Sequence, residues 1–186
     1  MNRAQLFHAI RASCAIAGID SVIIIGSQAI LGSFDEDVLP PEATMSREVD
    51  VLPDVADPAL ASELADRIEG VGGELSPFEE LHGFALDGVD YTTAILPEGW
   101  RDRLVPVRSL STVDPTTGVQ YTGWCLSPED LCVAKLCAGR EKDRRFVHSL
   151  FAAGLVDRHR VTELLRFVPE LHRPSAEAVE RELRGG

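Results

Sequence analysis

Apolar and polar positions change their period several times along the chain, and these changes predict its secondary structure. Residues 3–18 carry Leu6, Ile10 and Cys14 along one helical stripe, which predicts an amphipathic helix. Residues 20–25 end in the apolar run Val-Ile-Ile-Ile, which predicts a short buried strand, and a short helix is expected at 27–31. Residues 32–45 are acidic and contain Pro40 and Pro41, which favours a long loop.

The later pattern predicts more strands and then a run of helices. A strand is expected around residues 48–52, and Pro58 is placed to open a helix that continues to about residue 70. Residues 84–86 and 89–95 flank Asp87-Gly88, a strong hairpin signal. A helical turn is expected at 97–104, and short strands at 105–108 and 120–126. Ser127 and Pro128 then suit the cap and the first position of a helix.

These elements predict an α/β (α+β) fold in two parts. Residues 1–126 would form the α/β core, a mixed sheet flanked by helices. Residues 127–186 would form a C-terminal helical segment packed on that core, with breaks near residues 139, 154–157 and 169–174.

Two short segments carry the candidate chemistry. Glu48 and Asp50 are spaced i, i+2, so on a strand both carboxylates point to one face. Carboxylate oxygens are ligands that Mg²⁺ prefers, so the pair is a candidate metal site. The apolar strand at 20–25 runs into Gly26-Ser27, where backbone N–H groups and a hydroxyl at a helix start could bind phosphate. A phosphate cradle beside a metal site suggests phosphoryl or nucleotidyl transfer.

Asp90 is the candidate for a third carboxylate. It lies on the second strand of the expected hairpin, which could neighbour the strand of Glu48 and Asp50. Three such carboxylates could hold two divalent ions. The alternative is a hairpin residue that faces solvent, but Asp is disfavoured in strands without a reason.

Lys135 stands out because the chain has only two lysines, the other being Lys142, against sixteen arginines. Its helical neighbours are apolar, so its ammonium is expected to be partly buried and to need an anion. That anion would be a nucleotide phosphate or, alternatively, Asp130 or Asp143 of the protein.

The net charge of −12 is unevenly distributed. Residues 1–134 hold 7 basic and 22 acidic side chains, a charge of −15, whereas residues 135–186 hold 11 basic and 8 acidic ones, a charge of +3. The C-terminal third could therefore face a polyanion such as RNA, or its arginines could be ordinary surface charge.

The four cysteines match no zinc or redox spacing, which favours buried free thiols in a reducing cytoplasm. No signal peptide and no transmembrane stretch is expected, so the protein would have no membrane role.

In their order, these residues resemble a known family. Gly26-Ser27 after a strand, Glu48-x-Asp50 after a loop, Asp90, and the helical pattern Lys-x4-Arg-x-Lys-Asp from Lys135 together resemble the nucleotidyltransferase fold of the polymerase-beta superfamily. They are most similar to small bacterial proteins related to the AbiEii toxins of type IV toxin–antitoxin systems. The resemblance covers roughly residues 20–157.

The resemblance implies a role for each matching residue. Gly26 and Ser27 would bind the triphosphate of an NTP, while Glu48, Asp50 and Asp90 would bind Mg²⁺. Lys135 would contact the phosphates, and Arg140 and Lys142 would add positive charge. Asp143 would be a further functional acid, and Ser46 would be a hydroxyl beside the acids. The implied partners are a nucleotide, tRNA bound by the basic C-terminal third, and a cognate antitoxin protein.

Three functions are consistent with this pattern. The first is Mg²⁺-dependent transfer of a nucleoside monophosphate from an NTP to a macromolecule, with the tRNA 3′ end as the acceptor that the resemblance implies. The second is the same transfer to a small hydroxylated acceptor such as an antibiotic, attracted by the acidic loop at 35–37. The third is a binding module without activity. Glu48 supports the third, because the family usually has Asp there and Glu moves the carboxylate by about one bond length.

Overall fold

A computed structural model describes residues 1–185, which form a five-stranded mixed sheet flanked by helices. The strands are β1 (Ser21–Ile24), β2 (Glu48–Pro53), β3 (Ala85–Gly88), β4 (Val105–Val107) and β5 (Thr122–Cys125). The α-helices are α1 (Arg3–Ala17), α2 (Pro41–Thr44), α3 (Pro58–Gly72), α4 (Pro77–His82), α5 (Pro128–Ala138), α6 (Glu141–Ala152), α7 (Arg158–Leu164) and α8 (Arg173–Gly185). A 3₁₀ helix, Ser27–Gly32, follows β1. The α/β fold class expected from the sequence is confirmed.

The sheet has the order β3-β2-β1-β5-β4. Strand β1 is antiparallel to β2 and parallel to β5, and β2 is parallel to β3. In this register Ile24 pairs with Val51, and Asp50 pairs with Asp87. The strand with the predicted acids is therefore internal, with β1 on one side and β3 on the other.

Helices α1 and α3 cover one face of the sheet. A Cβ on Gly88 would lie 1.9 Å from the Ala65 carbonyl oxygen of α3, so only glycine allows this close approach. Leu86 also meets α3, at Gly72. Because side chains alternate along a strand, Asp87 between these two residues points to the opposite face.

The 3₁₀ helix contacts β2 and β5 and also α5. Helices α6, α7 and α8 pack on α5, and one cluster of buried apolar residues runs from α1 to α8. All four cysteines are free and buried, as expected, and burial raises the pKa of the Cys125 thiol to about 12. Among residues 1–185, no helix has the length and apolar character needed to cross a bilayer.

The hairpin predicted at residues 84–95 is wrong. Strand β3 ends at Gly88, and residues 89–95 form turns rather than a strand. A tight hairpin would need positive φ in its turn, but Gly88 is not among the positive-φ glycines. The Asp-Gly pair instead reflects the close packing of Gly88 on α3.

The loop expected at 32–45 also contains local helix. A 3₁₀ turn spans Glu36–Val38, and α2 begins at Pro41. Here the second proline serves as a helix start, a role that proline fills because it needs no N–H donor there. Helix α4 was likewise not predicted; Ser76 caps it by accepting a bond from the Glu79 N–H, 3.2 Å away.

A buried charged group anchors α5 to the rest of the core. Asp130 is fully buried and accepts two hydrogen bonds from Arg103, of 2.9 and 2.7 Å, and one of 2.6 Å from the Ser127 hydroxyl. Arg103 lies just before β4, so the pair joins the start of α5 to that sheet edge. The buried carboxylate fixes where α5 begins, and therefore where Lys135 lies two turns later.

We expect Arg103→Met to lower the free energy of unfolding by about 3 kcal/mol, because it leaves a buried carboxylate without its cation. Urea denaturation monitored by circular dichroism measures this loss. Arg145→Met is the matched control, since Arg145 pairs with Glu141 at the surface and should cost less than about 1 kcal/mol. Equal losses in the two variants would contradict the anchoring role of Asp130.

Candidate functional site

Asp50 and Asp87 form the centre of the candidate site. They are register partners on adjacent parallel strands, so their side chains lie side by side on one face of the sheet. This is the face opposite α3, where Glu48 also points because it is two residues before Asp50. Glu48 is exposed and Asp50 is half-buried.

Burial raises the pKa of Asp50 above its ordinary value. The positive charges of Lys135 and Arg140 oppose this effect, whereas the negative charge of Glu48 adds to it. Burial is also the main cause that raises the pKa of Asp87, and Asp50, Glu69 and Glu74 contribute repulsion. Neither Asp50 nor Asp87 is in an ion pair within residues 1–185. The two carboxylates therefore concentrate negative charge at a poorly solvated place.

Gly26 lies directly against the Asp50 carboxylate. A Cβ at Gly26 would lie 1.5 Å from Asp50 Oδ2, so any other residue would displace the acid. The Asp50 carbonyl also accepts a 3.2 Å hydrogen bond from the Ile25 N–H, which holds the two segments together. Ser27 begins the 3₁₀ helix, so its N–H has no partner within that helix. The structure thus places the predicted Gly26-Ser27 turn next to Asp50.

Lys135, Arg140 and Asp143 form a second cluster beside the acids. Asp143, which is 2% exposed, accepts hydrogen bonds from Lys135 Nζ at 3.0 Å and from Arg140 Nε at 2.7 Å. Lys135 also lies 4.7 Å from the centre of the Phe146 ring. The protein anion that Lys135 meets is thus Asp143, one of the two that the sequence left open. Its other candidate, Asp130, is taken by Arg103.

The α5–α6 connection explains why these groups meet. Gly139 ends α5 in the left-handed conformation, with φ +71°, and α6 begins two residues later. This tight connection lets Asp143 in the first turn of α6 reach Lys135 in the last turn of α5. Lys142, the other predicted cation, is exposed.

Ser46 is engaged locally beside the acids. Its hydroxyl accepts a 3.2 Å hydrogen bond from the Glu48 N–H, and its carbonyl accepts one from the Gln28 side chain. Gln28 was not singled out by the sequence pattern.

The structure does not bring Asp90 together with the other acids. Continuing the β2–β3 register would set Asp90 level with Pro53, three residues or roughly 10 Å beyond Asp50. The neighbouring Tyr91 hydroxyl donates to the Val55 carbonyl, past the end of β2. Asp90 itself accepts bonds from the N–H and hydroxyl of Thr92, which lower its pKa. The missing strand at 89–95 is the reason that Asp87, not Asp90, is the neighbour of Asp50.

The donor set fits a magnesium ion that is shared with a substrate. No group of three or more metal-binding side chains occurs among residues 1–185. Two adjacent carboxylates nevertheless suit Mg²⁺, which is commonly held by one or two carboxylates together with substrate phosphates and water. Asp50 and Asp87 would be the ligands, with Glu48 next to them on the same face.

The basic residues of the C-terminal third are mostly neutralised. Of the eleven in residues 135–186, eight form ion pairs with carboxylates in the described structure: Lys135, Arg140, Arg144, Arg145, Arg160, Arg166, Arg173 and Arg184. The charge of +3 is therefore dispersed among pairs rather than gathered on one bare surface.

We expect Asp50→Asn to raise the free energy of unfolding at neutral pH without metal. The folded-state pKa of Asp50 is raised, so folding binds a proton, and wild-type stability falls as pH rises through that pKa. Asn carries no charge to desolvate, so its advantage should shrink as pH falls from the raised pKa of Asp50 towards the ordinary aspartate value. Urea titrations between pH 4 and 7.5 measure it. The control Asp66→Asn, at an exposed position, should show no such trend; a less stable Asp50→Asn at pH 7.5 would contradict the prediction.

Comparison with known proteins identifies the family of the chain. No curated protein and no solved structure matches it. A family model described as "Nucleotidyltransferase of unknown function (DUF6036)" matches residues 4–179, which include every element from β1 to α7. The chain therefore belongs to this nucleotidyltransferase family.

Proposed function

We propose that the protein transfers a nucleoside monophosphate from a Mg²⁺-bound NTP to a hydroxyl group of an acceptor. The observation that carries the proposal is the side-by-side placement of Asp50 and Asp87, with the Gly26 backbone against the first carboxylate. Family membership supports the reaction class. The cluster of Lys135, Arg140 and Asp143 supports an anionic substrate at this place.

Each residue has a defined task in this proposal. Asp50 and Asp87 would hold Mg²⁺, with Glu48 on the same face at the exposed end of β2. When bound, the metal neutralises the triphosphate and activates the attacking oxygen. The backbone N–H groups at Gly26 and Ser27 bind phosphate oxygens.

The cations act on the leaving group. Lys135 and Arg140 balance the charge that develops on pyrophosphate, and Asp143 holds both of them in position. In the transfer step the acceptor oxygen bonds to the α-phosphorus, the bond from that phosphorus to the pyrophosphate oxygen breaks, and the acceptor proton passes to a carboxylate or water.

The first acceptor to test is the 3′ end of tRNA, which follows from the resemblance to AbiEii-related toxins. In that setting an antitoxin protein would be a further partner. The ion pairing of the C-terminal arginines gives this acceptor limited electrostatic support, since only Lys142, Arg158 and Arg181 lie outside those pairs in the described structure.

A small cationic acceptor is the second candidate, and one observation favours it. An open groove of about 550 Å³ is lined by Asp66, Glu69 and Glu74. Two of these, Glu69 and Glu74, are close enough to Asp87 to raise its pKa. This negative charge lies on α3 and the loop after it, next to β3, and would attract a polyamine-like acceptor and repel the phosphates of RNA.

The function is tested by incubating the protein with Mg²⁺, each α-³²P-labelled NTP and either total tRNA or an aminoglycoside. We expect label on one acceptor class with wild-type protein. Label on tRNA supports the first acceptor, and label on the aminoglycoside supports the second. No label on either, with folded protein that binds Mg²⁺–NTP, would support a binding module, whereas no nucleotide binding would overturn the proposal.

The carboxylate assignment is tested in the same assay. Asp50→Asn and Asp87→Asn should each lower the transfer rate by about 10³-fold, because each removes a metal ligand worth several kcal/mol of transition-state stabilisation. Asp90→Asn is the matched control and should retain activity within about threefold. The reverse result, with Asp90→Asn inactive and Asp87→Asn active, would favour the original assignment from the sequence.

A further inference from the structure

Gln28 is a buried polar residue inside the fold, two positions after Gly26. It is 0% exposed, and its Nε2 donates a 3.2 Å hydrogen bond to the Ser46 carbonyl. Its Oε1 is buried without a partner in the described structure. An unsatisfied buried acceptor is unfavourable for stability, so an apolar side chain of similar shape would pack at this position at no greater cost.

The hydrogen bond between Gln28 and Ser46 lies just beyond the point where the pairing of β1 and β2 ends. Pairing between β1 and β2 runs only to Ile24, with one further bond from the Ile25 N–H to the Asp50 carbonyl. Beyond this point the chain turns away at Gly26 into the 3₁₀ helix. The residues before β2 therefore have no strand partner on the β1 side.

The Gln28 side chain continues the connection past the end of the ladder. It holds the Ser46 carbonyl, and the Ser46 hydroxyl in turn accepts the Glu48 N–H. These two bonds run from the phosphate-binding turn to the first acid of β2. The bond from Gln28 to Ser46 also joins the two ends of the segment between residues 28 and 46.

We propose that Gln28 is a positioning residue that sets the distance between the Gly26-Ser27 turn and the Glu48 end of β2. This inference rests on the proposed function, in which the turn binds phosphate and the acids bind metal. A displacement of about 1 Å between such groups can cost about 10²-fold in rate. Gln28 touches no substrate; it acts through the backbone of residues 46–48.

The test uses Gln28→Met, which keeps the length of the side chain and removes both polar atoms. The first readout is hydrogen–deuterium exchange of metal-free protein, which does not depend on activity. The Glu48 amide, which donates to the Ser46 hydroxyl, should exchange about fivefold faster, the scale of one lost hydrogen bond. The melting temperature should not fall, because the variant also removes the unpaired Oε1. Gln120→Met is the control. The Gln120 side chain also donates to backbone carbonyls, those of Ser109 and Tyr121, but these lie next to the start of β5 and not next to β2.

The second readout is isothermal titration with each of the four Mg²⁺–NTPs, together with the transfer assay. Weaker binding or a rate about 10²-fold lower in Gln28→Met, at unchanged melting temperature, supports the inference. Unchanged exchange of the Glu48 amide, or faster exchange with wild-type affinity and rate, overturns it. If wild-type protein binds no nucleotide, the proposed function fails, and the exchange result still decides whether Gln28 holds this segment.

Discussion

The contact between Gly26 and the Asp50 carboxylate is the constraint on which the candidate site depends. It exists because β1 ends at Ile24, its last pairing with β2, and the chain then turns at Gly26 against the Asp50 side chain. The absence of a Cβ lets the Gly26 backbone lie against an acid that any side chain there would displace. Phosphate and metal ligands can then share one small volume, which is the geometric requirement of nucleotidyl transfer.

Charge in this region is arranged at some cost to stability. Asp50 and Asp87 are partly desolvated neighbours of like charge, and each has a raised pKa. Lys135 and Arg140 offset part of this repulsion from a distance, but their direct partner is Asp143. A site whose charges are incompletely balanced by the protein is suited to a ligand that supplies both a cation and an anion, as Mg²⁺–NTP does.

The cluster of Lys135, Arg140 and Asp143 depends on the ion pair at the start of α5. Arg103 and Asp130 fix the start of α5, and the Gly139 turn then brings α6 back along it. Lys135 and Asp143 meet because the ion pair holds the start of α5 and the Gly139 turn sets the position of α6. The acidic groove on α3, the helix that packs on β3, adds negative charge near the site. The C-terminal arginines pair with carboxylates of their own segment, which are already counted in its charge of +3.

Local patterns in the sequence determined much of the fold and part of the site. The strand that runs into Gly26-Ser27, the i, i+2 spacing of Glu48 and Asp50, and the capped start of α5 are all short-range features, and the structure has them where they were expected. Asp87-Gly88 is not a hairpin turn, because Gly88 allows close contact with α3. The position of Asp87 between Leu86 and Gly88 was a signal that could have placed it on the face opposite the core.

Only the tertiary structure decided which side chains meet. Asp87 lies beside Asp50 through the parallel register of β2 and β3, Arg103 pairs with Asp130, and Gln28 reaches Ser46 across a long excursion of the chain. Sequence spacing carries no information about these partners, because strand register and loop closure are set by the packing of the whole core. The sequence alone therefore determined the chemistry that the chain can offer, and the fold decided which of its acids and amides form the site.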